Sequence, residues 1–458
     1  MKTNRTKMNK KILFISLGCD KNLVDSEKML GLLYEKGYEF TNDETDADVA
    51  IINTCCFIND AKQESIDTIL EMAELKKSGA ISGLLVTGCL AQRYREEIKK
   101  EIPEVDSIIG VAAIDEIAAA LDKLFTAEES RKIEDYYKSL DTIPLADTRR
   151  ILTTGGHYAY LKIAEGCNKH CSYCIIPKIR GGYRSVPMET LIKEAEELAA
   201  DGVKELILVA QETTVYGVDL YGEKKLPELL RRICRIEGIC WVRILYCYPE
   251  EITDELIETI KEEPKICHYL DLPIQHGCDR ILRKMGRRTN KRELVAILEK
   301  LRENIPDICL RTTLITGFPG ETEAEHEELM AFVDEMQFDR LGVFPYSQEE
   351  DTEAASMPGQ ISEEVKEERL SELMELQQDI AFEAAQSMTG KVLDAMIEGK
   401  IAEEDTYVAR TYKDAPNVDG FLFINTGREL MSGDFVKVRV TGAYEYDLIG
   451  EIEDEFTE

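Results

Sequence analysis

The stretch Gly166-Cys167-Asn168-Lys169-His170-Cys171-Ser172-Tyr173-Cys174 contains three cysteines at C-x3-C-x2-C spacing. One short loop can direct all three sulfur atoms to a single point. Thiolates are soft ligands, which select zinc or iron–sulfur clusters. A structural zinc site uses four protein ligands, and His170 is the only neighbour able to supply the fourth. A cubic cluster held by three cysteines instead keeps one iron open to a substrate. We therefore favour an iron–sulfur cluster over zinc at this loop.

The loop follows an apolar run that we interpret as the first strand of a partial barrel. The predicted strands are residues 158–163, 205–210, 241–246, 268–273, 310–316 and 340–346. The helical patterns between them include residues 188–200, 254–262, 291–304 and 323–336. Six such units predict an incomplete, TIM-like (β/α)6 barrel with its chemistry at the C-terminal ends of the strands. The three-cysteine loop follows the first strand, where a reaction centre is expected.

Residues 11–125 show the same alternation, with strands predicted at residues 11–16, 49–53, 84–87 and 107–110. Repeated strand–helix units predict an open parallel α/β sheet. Cys19, Cys55 and Cys89 each come just after a strand and before a helix. Ligands bind at that edge of open α/β sheets, so these cysteines are candidates for a second metal cluster. The alternative is that each is an ordinary buried thiol, as we expect for Cys56.

The sequence divides into six segments, which together predict a multidomain α/β protein. Residues 1–10 are a polar, flexible tail, and residues 11–125 are the N-terminal α/β domain. Residues 126–154 are charged and aperiodic, which is typical of a linker. Residues 155–360 are the partial barrel, and residues 361–388 an acidic amphipathic connecting helix. Residues 389–458 show short strand patterns broken by Gly and Asp, which predict a small, OB-like β-barrel.

The composition indicates a protein of a reducing compartment. Its 458 residues, 44% of them hydrophobic, can bury several cores. The 13 cysteines are odd in number and follow no secretory signal, so we expect a cytoplasmic protein without a disulfide framework. No stretch approaches membrane-spanning length. The formal charge of −33 disfavours a nucleic-acid partner and suits a basic protein partner, although it also favours solubility.

Several segments resemble one known family. Residues 16–27, 245–249, 271–276 and 317–322 and the three-cysteine loop are similar to methylthiotransferases. These are radical S-adenosylmethionine (SAM) enzymes with an N-terminal three-cysteine domain, a partial barrel and a C-terminal TRAM domain. The resemblance covers essentially the whole chain after the tail. Residues 16–27 resemble the branch that modifies small-subunit ribosomal protein twelve, although that branch usually carries Pro at the position of Asp20.

The resemblance implies cofactors and partners. The cluster whose open iron chelates the amino and carboxylate groups of SAM would be a [4Fe-4S] cluster held by Cys167, Cys171 and Cys174. An auxiliary [4Fe-4S] cluster would be held by Cys19, Cys55 and Cys89. SAM would be radical source and methyl donor, and a methylthio group would be added to the β-carbon of an aspartate in ribosomal protein twelve. An electron donor and a sulfur source would also be needed.

Two other functions stay open at this point. One is a methylthiotransferase that modifies transfer RNA, and the other is a non-enzymatic iron–sulfur or zinc protein. Residues 388–458 hold seven Lys or Arg and sixteen Asp or Glu, a net charge of −9. Such a domain repels RNA phosphates and attracts a basic ribosomal protein. The acidity therefore favours the protein substrate, with the TRAM domain as its docking surface.

Further residues are candidates for the site. Gln211 and Glu212 end the second predicted barrel strand, where they could bind the SAM amine and carboxylate, although polar strand ends are common on any barrel. Gly317 could let adenine approach the backbone, or could serve only a tight turn. Arg180 and Arg184 could meet a substrate carboxylate, but we expect them to be surface arginines.

The remaining motifs carry less chemistry. The turn at residues 317–321 lacks the Gly-Lys-Ser/Thr ending of a phosphate loop, which excludes nucleoside triphosphate binding there. His276 could donate a proton, but a lone histidine is more often structural. Six cysteines lack ligand spacing, and we expect them to be packing residues: Cys234, Cys240, Cys247, Cys267, Cys278 and Cys309.

Overall fold

The computed structural model describes residues 10–126, 133–142, 145, 148–402 and 404–453. The chain forms two compact units. The first contains the described residues within 1–153, 162–170 and 174–190, and the second contains those within 154–161, 171–173 and 191–458. The tail predicted at residues 1–10 lies, apart from Lys10, outside the described residues. The six predicted segment boundaries stay predictions.

The first unit is built on a six-stranded parallel sheet. Its strands are β1 (Lys11–Ser16), β2 (Glu39–Phe40), β3 (Val49–Thr54), β4 (Gly83–Gly88), β5 (Ser107–Ile109) and β6 (Glu134–Tyr136). They lie in the order β2-β1-β3-β4-β5-β6, and every neighbouring pair is parallel. This arrangement confirms the predicted open α/β sheet.

Helices cover both faces of this sheet. They are α1 (Asp20–Glu35), α2 (Asn59–Lys77), α3 (Cys89–Arg93), α4 (Arg95–Glu101) and α5 (Ile117–Thr126). Strand β3 is buried along its whole length and alternates between the two cores. Ala50 and Ile52 pack on the side of α2, α3 and α4, whereas Val49 and Ile51 pack on the side of α1 and α5. Burial on both faces explains why the strand is a continuous apolar run.

The segment predicted as a linker contributes to this sheet. Strand β6 lies within it and pairs with β5 at the sheet edge. Further along, Arg150 ion-pairs with Glu27 of α1, and both side chains are buried. The charged composition therefore reflects a polar edge strand and a buried ion pair as well as connecting chain.

Short elements surround the three-cysteine loop. They are β7 (Tyr158–Lys162), β8 (Ala164–Glu165), α6 (Ile176–Arg180) and β9 (Arg184–Ser185). In the first unit, β8 and β9 pair as antiparallel strands. Ile175 and Ile179 pack into the core formed with α3, which anchors α6 in that unit.

The second unit contains the predicted barrel strands in one sheet. After β7 these are β10 (Glu205–Val209), β11 (Trp241–Ile244), β12 (Ile266–Asp271), β13 (Cys309–Thr316) and β14 (Arg340–Pro345). The order is β14-β13-β12-β11-β10-β7, and the pairs from β10 to β14 are parallel. The helices between them are α7 (Met188–Ala200), α8 (Val218–Tyr221), α9 (Leu226–Cys234), α10 (Asp254–Glu262), α11 (Asp279–Lys284), α12 (Lys291–Asn304) and α13 (Glu323–Met336).

A long helix and a closed barrel complete the second unit. The helix is α14 (Glu363–Gln386), and the barrel strands are β15 (Val392–Lys400), β16 (Thr406–Thr411), β17 (Leu422–Asn425), β18 (Phe435–Tyr444) and β19 (Asp447–Ile452). They close in the order β15-β16-β17-β19-β18, which confirms the predicted small β-barrel. Closure leaves no exposed strand edge. None of the described helices is long and apolar enough to cross a membrane.

Buried charges join the closed barrel to the parallel sheet. Glu205 of β10 accepts hydrogen bonds from Arg243 of β11 and from Arg410 of β16, each at 2.7 Å. Arg410 also donates to Glu398, which lies 2.9 Å from His157. Burial alone would raise the pKa of Glu205, but the two guanidinium groups hold it below the ordinary value. The carboxylate is therefore charged and fixes the two sheets together.

Candidate functional site

Three strand ends in the first unit carry the candidate cysteines Cys19, Cys55 and Cys89. In the sheet, Ser16 of β1 is opposite Asn53 of β3, and Thr54 of β3 is opposite Gly88 of β4. The cysteines that follow are therefore on adjacent strands at one edge. Gly18, with φ of +91°, lets the chain pass so close that a Cβ there would lie 2.9 Å from Cys55 Sγ. The fold thus brings the three together.

Asn22, in the first turn of α1, ties these strand ends to one another. Its Nδ2 donates to the carbonyl oxygens of Leu17 at 3.0 Å and of Thr54 at 2.9 Å. Its Oδ1 lies 3.8 Å from Cys89 Sγ. Asn22 is fully buried, so it holds the turns that carry all three cysteines in one arrangement. Sequence reasoning missed this residue.

The cysteine thiols in this group have unequal surroundings. Cys19 is exposed, whereas Cys55 and Cys89 are buried. Burial, and then the neighbouring Cys89, raise the pKa of Cys55 to about 12. Burial also raises the pKa of Cys89, against the opposing effect of Arg180. Without a metal these two thiols are protonated at neutral pH, so metal binding must release their protons.

Arg180, at the end of α6, is the main electrostatic partner of Cys89. Its Nη2 donates to Cys89 Sγ at 3.3 Å and to Asn22 Oδ1. Its Nη1 donates to Asp25 at 2.9 Å and to Glu165 at 3.0 Å. The side chain is fully buried, so the expectation of a surface arginine is wrong. Arg184 is half-buried and donates to backbone carbonyls.

A second cation completes this buried network. Lys162, at the end of β7, donates to Asp25 and, at 2.9 Å, to Glu165. Two cations and two carboxylates cancel in charge, and both carboxylates are satisfied. Burial alone would lower the pKa of Arg180, but Cys89 and the two carboxylates raise it well above its ordinary value. A thiolate at Cys89 would therefore meet a fixed positive charge.

The described residues contain no group of three His, Cys, Asp or Glu side chains arranged to hold a metal ion. The ligands of one ion must converge on one point. The ligands of a cubic cluster bind different irons and lie farther apart, and they bind as thiolates. The thiols of Cys19, Cys55 and Cys89 are of the soft ligand type that both zinc and iron–sulfur clusters use.

In the first unit, the base of the three-cysteine loop is held by backbone contacts. Cys167 N–H donates to the carbonyl of Gly181 at 3.1 Å, and Lys169 N–H donates to Cys167 Sγ at 3.4 Å. Gly166 has φ of +75°, and a Cβ there would lie 2.1 Å from the carbonyl oxygen of Gly182. Only glycine fits this position. Cys167 is buried and Cys174 is half-buried.

Residues 171–173 of the loop belong to the second unit, where α11 and the turn after it hold them. Ser172 donates its N–H to the carbonyl of Met285 at 2.9 Å and its hydroxyl to that of Lys284 at 2.7 Å. Cys171 is buried, and its Sγ lies 3.8 Å from the hydroxyl of Tyr248. The loop thus has fixed backbone partners on both sides of Cys171.

The other predicted binding residues lie in the second unit. Gln211 and Glu212 follow β10, and the buried Glu212 accepts a hydrogen bond from Thr214 at 3.1 Å. Gly317 has φ of +69°, and a Cβ there would lie 2.4 Å from Cγ of Lys366. The turn and this packing account for the glycine. His276 is fully buried and accepts from the N–H of Cys278 at 2.9 Å, which fits a structural role.

The remaining cysteines are mostly packing residues, and none of the thirteen, all within the described ranges, forms a disulfide. Cys56 is fully buried in the core beside α2. Cys240 is exposed, so the expectation of packing is wrong there. It lies in the short turn before β11, outside the apolar period of the strand. The other five that lack ligand spacing are buried.

Comparison with known families defines the class of protein. Residues 11–110 match the model described as "Uncharacterized protein family UPF0004". Residues 161–333 match the radical SAM superfamily, and residues 389–452 match the TRAM domain. The three matches follow the order of the N-terminal sheet, the second sheet and the closed barrel. The chain is thus a radical SAM protein with a TRAM domain.

Full-length relatives identify the family. A "Ribosomal protein uS12 methylthiotransferase RimO" of Lachnoclostridium phytofermentans is 63% identical over 97% of this chain and 100% of that protein. Proteins of the same name from Acetivibrio thermocellus and a Thermoanaerobacter species are 50% and 49% identical, over 97% and 96% of this chain and 99% and 100% of those proteins. The chain belongs to the RimO family of methylthiotransferases.

Solved structures support the fold alone. The radical SAM methyltransferase TsrM from Kitasatospora setae, with cobalamin and a [4Fe-4S] cluster bound, superposes with a TM-score of 0.53. The match covers 74% of this chain and 72% of that chain at 13% identity. The same enzyme with tryptophan and a SAM analogue gives a TM-score of 0.51. The predicted fold class is confirmed.

Proposed function

We propose that this protein adds a methylthio group to the β-carbon of an aspartate in ribosomal protein uS12, with SAM as radical source and methyl donor. Membership of the RimO family supports the reaction and the substrate. One structural observation carries the proposal furthest: three cysteines from three adjacent strand ends lie together beside a buried arginine. Burying a cation beside a neutral thiol costs free energy, so this arrangement favours a thiolate at Cys89.

Two [4Fe-4S] clusters fit the cysteines of this chain. The SAM-binding cluster is assigned to Cys167, Cys171 and Cys174, and the auxiliary cluster to Cys19, Cys55 and Cys89. Three soft ligands in each set leave one iron of each cluster without a protein ligand. The positive charge of Arg180, 3.3 Å from Cys89 Sγ, suits the anionic thiolates of the auxiliary site. Gln211 and Glu212 are the proposed polar contacts to SAM.

The protein side chains hold and order the reactants. When bound, the clusters and SAM supply the electron, the radical chemistry and the methyl group. Asn22 and the strand ends fix the auxiliary cysteines, while Gly166 and the paired β8 and β9 hold the loop of the other set. Burial of Cys55, Cys89, Cys167 and Cys171 limits contact with water, which protects reactive species from side reactions.

Partners and location belong to the same proposal. The acidic TRAM domain would dock the basic ribosomal protein, and direct binding of nucleic acid is disfavoured by the same charge. An electron donor and a sulfur source must supply the reaction. We place the protein in the cytoplasm, where cluster cysteines stay reduced.

Metal analysis tests the cofactor assignment. We expect anaerobically reconstituted protein to contain about eight iron and eight sulfide per chain, the content of two four-iron clusters. About four iron would remove the auxiliary cluster from the proposal. Zinc alone would remove the enzymatic function and leave a zinc-stabilised binding protein.

Mass spectrometry of cell extracts tests the substrate. Protein uS12 and bulk transfer RNA are compared from cells with and without this protein. We expect the methylthio adduct on uS12 to disappear with the protein, while methylthio groups on transfer RNA remain. Loss of the RNA modification with uS12 unchanged would favour the transfer-RNA methylthiotransferase instead.

A further inference from the structure

Arg287, just after α11 in the second unit, is a buried cation with unused hydrogen-bond donors. Arg287 is only 6% exposed to solvent. Nη2 donates to the carbonyl of Pro273 at 2.8 Å, but Nε and Nη1 have no hydrogen-bond partner among the described residues. Two residues on, the hydroxyl of Thr289 is likewise buried without a partner. These three groups are therefore free to bind a ligand.

The position of Arg287 ties it to the three-cysteine loop. Its guanidinium stacks on the ring of Tyr248, 4.3 Å from the centroid, and the hydroxyl of Tyr248 lies 3.8 Å from Cys171 Sγ. The preceding residues Lys284 and Met285 accept the two hydrogen bonds of Ser172. Arg287 is therefore held beside the cysteine that the proposed function assigns to SAM cleavage.

Burial alone would lower the pKa of Arg287, but nearby Tyr173, Tyr248, Cys171 and Glu250 raise it, so the guanidinium is charged. No carboxylate of a described residue lies within ion-pair distance of it, whereas the other large buried arginines, Arg180, Arg243 and Arg410, all have such a partner. A stacked tyrosine offsets only part of the cost of burying a guanidinium. A buried charge without a partner is strongly unfavourable, so this arrangement persists where a ligand completes it. The planar fork of an arginine suits a carboxylate.

We propose that Arg287 is a carboxylate-binding residue, which recognises the aspartate side chain of the substrate. The inference rests on the proposed function. Two carboxylates enter that reaction, those of SAM and of the substrate aspartate. The resemblance places the SAM carboxylate on the open iron, which leaves Arg287 for the substrate. The aspartate carboxylate is bonded to the reacting β-carbon, so holding it would both select aspartate and position the C–H bond.

The test measures binding rather than turnover. Wild-type, R287Q, R287K and R288Q proteins are reconstituted, and their affinity is measured for a uS12 peptide with the reactive aspartate and for the same peptide with asparagine there. Arg288 is the exposed neighbour and serves as the matched control. We expect R287Q to lose roughly ten- to a hundredfold of the preference for aspartate, the range of hydrogen bonds to a charged group. R287K should lose part of it, and R288Q none.

A second arm compares SAM with decarboxylated SAM on the same proteins. If R287Q reduces the preference for SAM over its decarboxylated form and leaves the peptide preference intact, the carboxylate bound is that of SAM. If both preferences survive in R287Q, the proposal is overturned. Methylthiolation of uS12 by the wild type is scored separately, so a wrong substrate is distinguished from a wrong role for Arg287.

Discussion

Single thiols divide the chemistry between the two proposed cluster sites. Cys171 belongs to the set assigned to SAM cleavage, and Cys55 to the auxiliary set. We expect Cys171→Ala to abolish SAM cleavage, and Cys55→Ala to retain cleavage while methylthio transfer stops. The measurements are chromatography of SAM cleavage products and mass spectrometry of the substrate. Cys56→Ala is the matched control, since Cys56 is fully buried beside Cys55 but packs in the core. Equal loss of cleavage in the first two variants would disprove the division of labour.

Arg180 allows a sharper prediction about the auxiliary site. Removing a buried cation beside Cys89 disfavours the extra negative charge of a reduced cluster, so Arg180→Gln should shift the midpoint potential of the auxiliary cluster to more negative values. It also leaves Asp25 and Glu165 with Lys162 alone, at a cost of about 3–5 kcal/mol in stability. Redox titration followed by electron paramagnetic resonance, and thermal unfolding of the cluster-free protein, measure the two effects.

Two further variants make the Arg180 prediction decisive. Arg184→Gln changes a half-buried arginine that donates to the carbonyls of Thr142, Gly182 and Arg180, and it should leave the potential unchanged. The double variant R180Q/E165Q removes the cation with one of its carboxylates, so it should recover part of the stability and keep part of the potential shift, because Glu165 opposes Arg180 at Cys89. An unshifted potential in both Arg180 variants would show that the network is only structural.

Arg180 also shows why part of the site could not be read from the sequence. The C-x3-C-x2-C spacing and the recurrence of a cysteine after each strand are local patterns, and they pointed to six candidate ligands. The partners of Arg180 lie far away in sequence, 155 residues in the case of Asp25 and 158 in the case of Asn22. No local pattern reports such a contact. An arginine near a loop is normally exposed, and for Arg180 the prediction based on this rule was wrong.

Among secondary-structure elements, four helices were predicted at their exact bounds, whereas two short edge strands were missed. Helices α7, α10, α12 and α13 begin and end at the predicted residues. Their apolar faces pack on the sheet, so the sequence signal and the burial coincide. Strand β2 has two residues and β6 has three, too short for any alternation to be visible. Both are edge strands, which pair with only one neighbouring strand. Their side chains therefore need not be apolar, and their sequences resemble connecting segments.

The start of α13 gives a prediction about pH. Glu325 accepts hydrogen bonds from the N–H and hydroxyl of Thr322, and Arg280 donates to it as well. The hydrogen bond from Arg280 lowers the pKa of Glu325 most, and burial opposes this effect. The hydrogen bonds from Thr322 lower the pKa further, to about 2. Since the pKa is lower in the folded state, the stabilisation is complete above the unfolded value of 4.5 and is lost as the pH falls toward 2.

We therefore expect Glu325→Gln to destabilise the protein by about 1 kcal/mol at pH 7, the value of a helix cap with a partly exposed ion pair. The difference from wild type should shrink as the pH falls from 4.5 toward 2, because the unfolded wild-type chain binds a proton at this carboxylate before the folded chain does. Thermal unfolding at several pH values measures it. Glu327→Gln is the control, because Glu327 is exposed on the same helix and forms no ion pair with another described residue. A pH-independent difference would contradict this account.

For the whole molecule, the net charge of −33 affects the rate of association with a basic partner. A surface that is mostly negative attracts a positively charged protein over about a Debye length, roughly 10 Å at 0.1 M salt. We expect the association rate constant with uS12 to fall about tenfold or more between 0.05 and 0.3 M salt, with little change in the dissociation rate. Stopped-flow fluorescence measures both. An association rate that does not depend on salt would disprove steering.

Steering by the whole charge and docking on the TRAM domain make different predictions for local variants. One variant neutralises four exposed TRAM carboxylates: Glu404, Glu429, Glu445 and Glu451. Its control neutralises four exposed carboxylates of α14: Glu364, Glu367, Glu368 and Glu375. Both change the net charge equally. Because screened attraction acts mainly between nearby charges, docking on the TRAM domain predicts that the first variant slows association severalfold more than the second. Equal slowing would mean that uS12 is attracted by total charge and docks elsewhere.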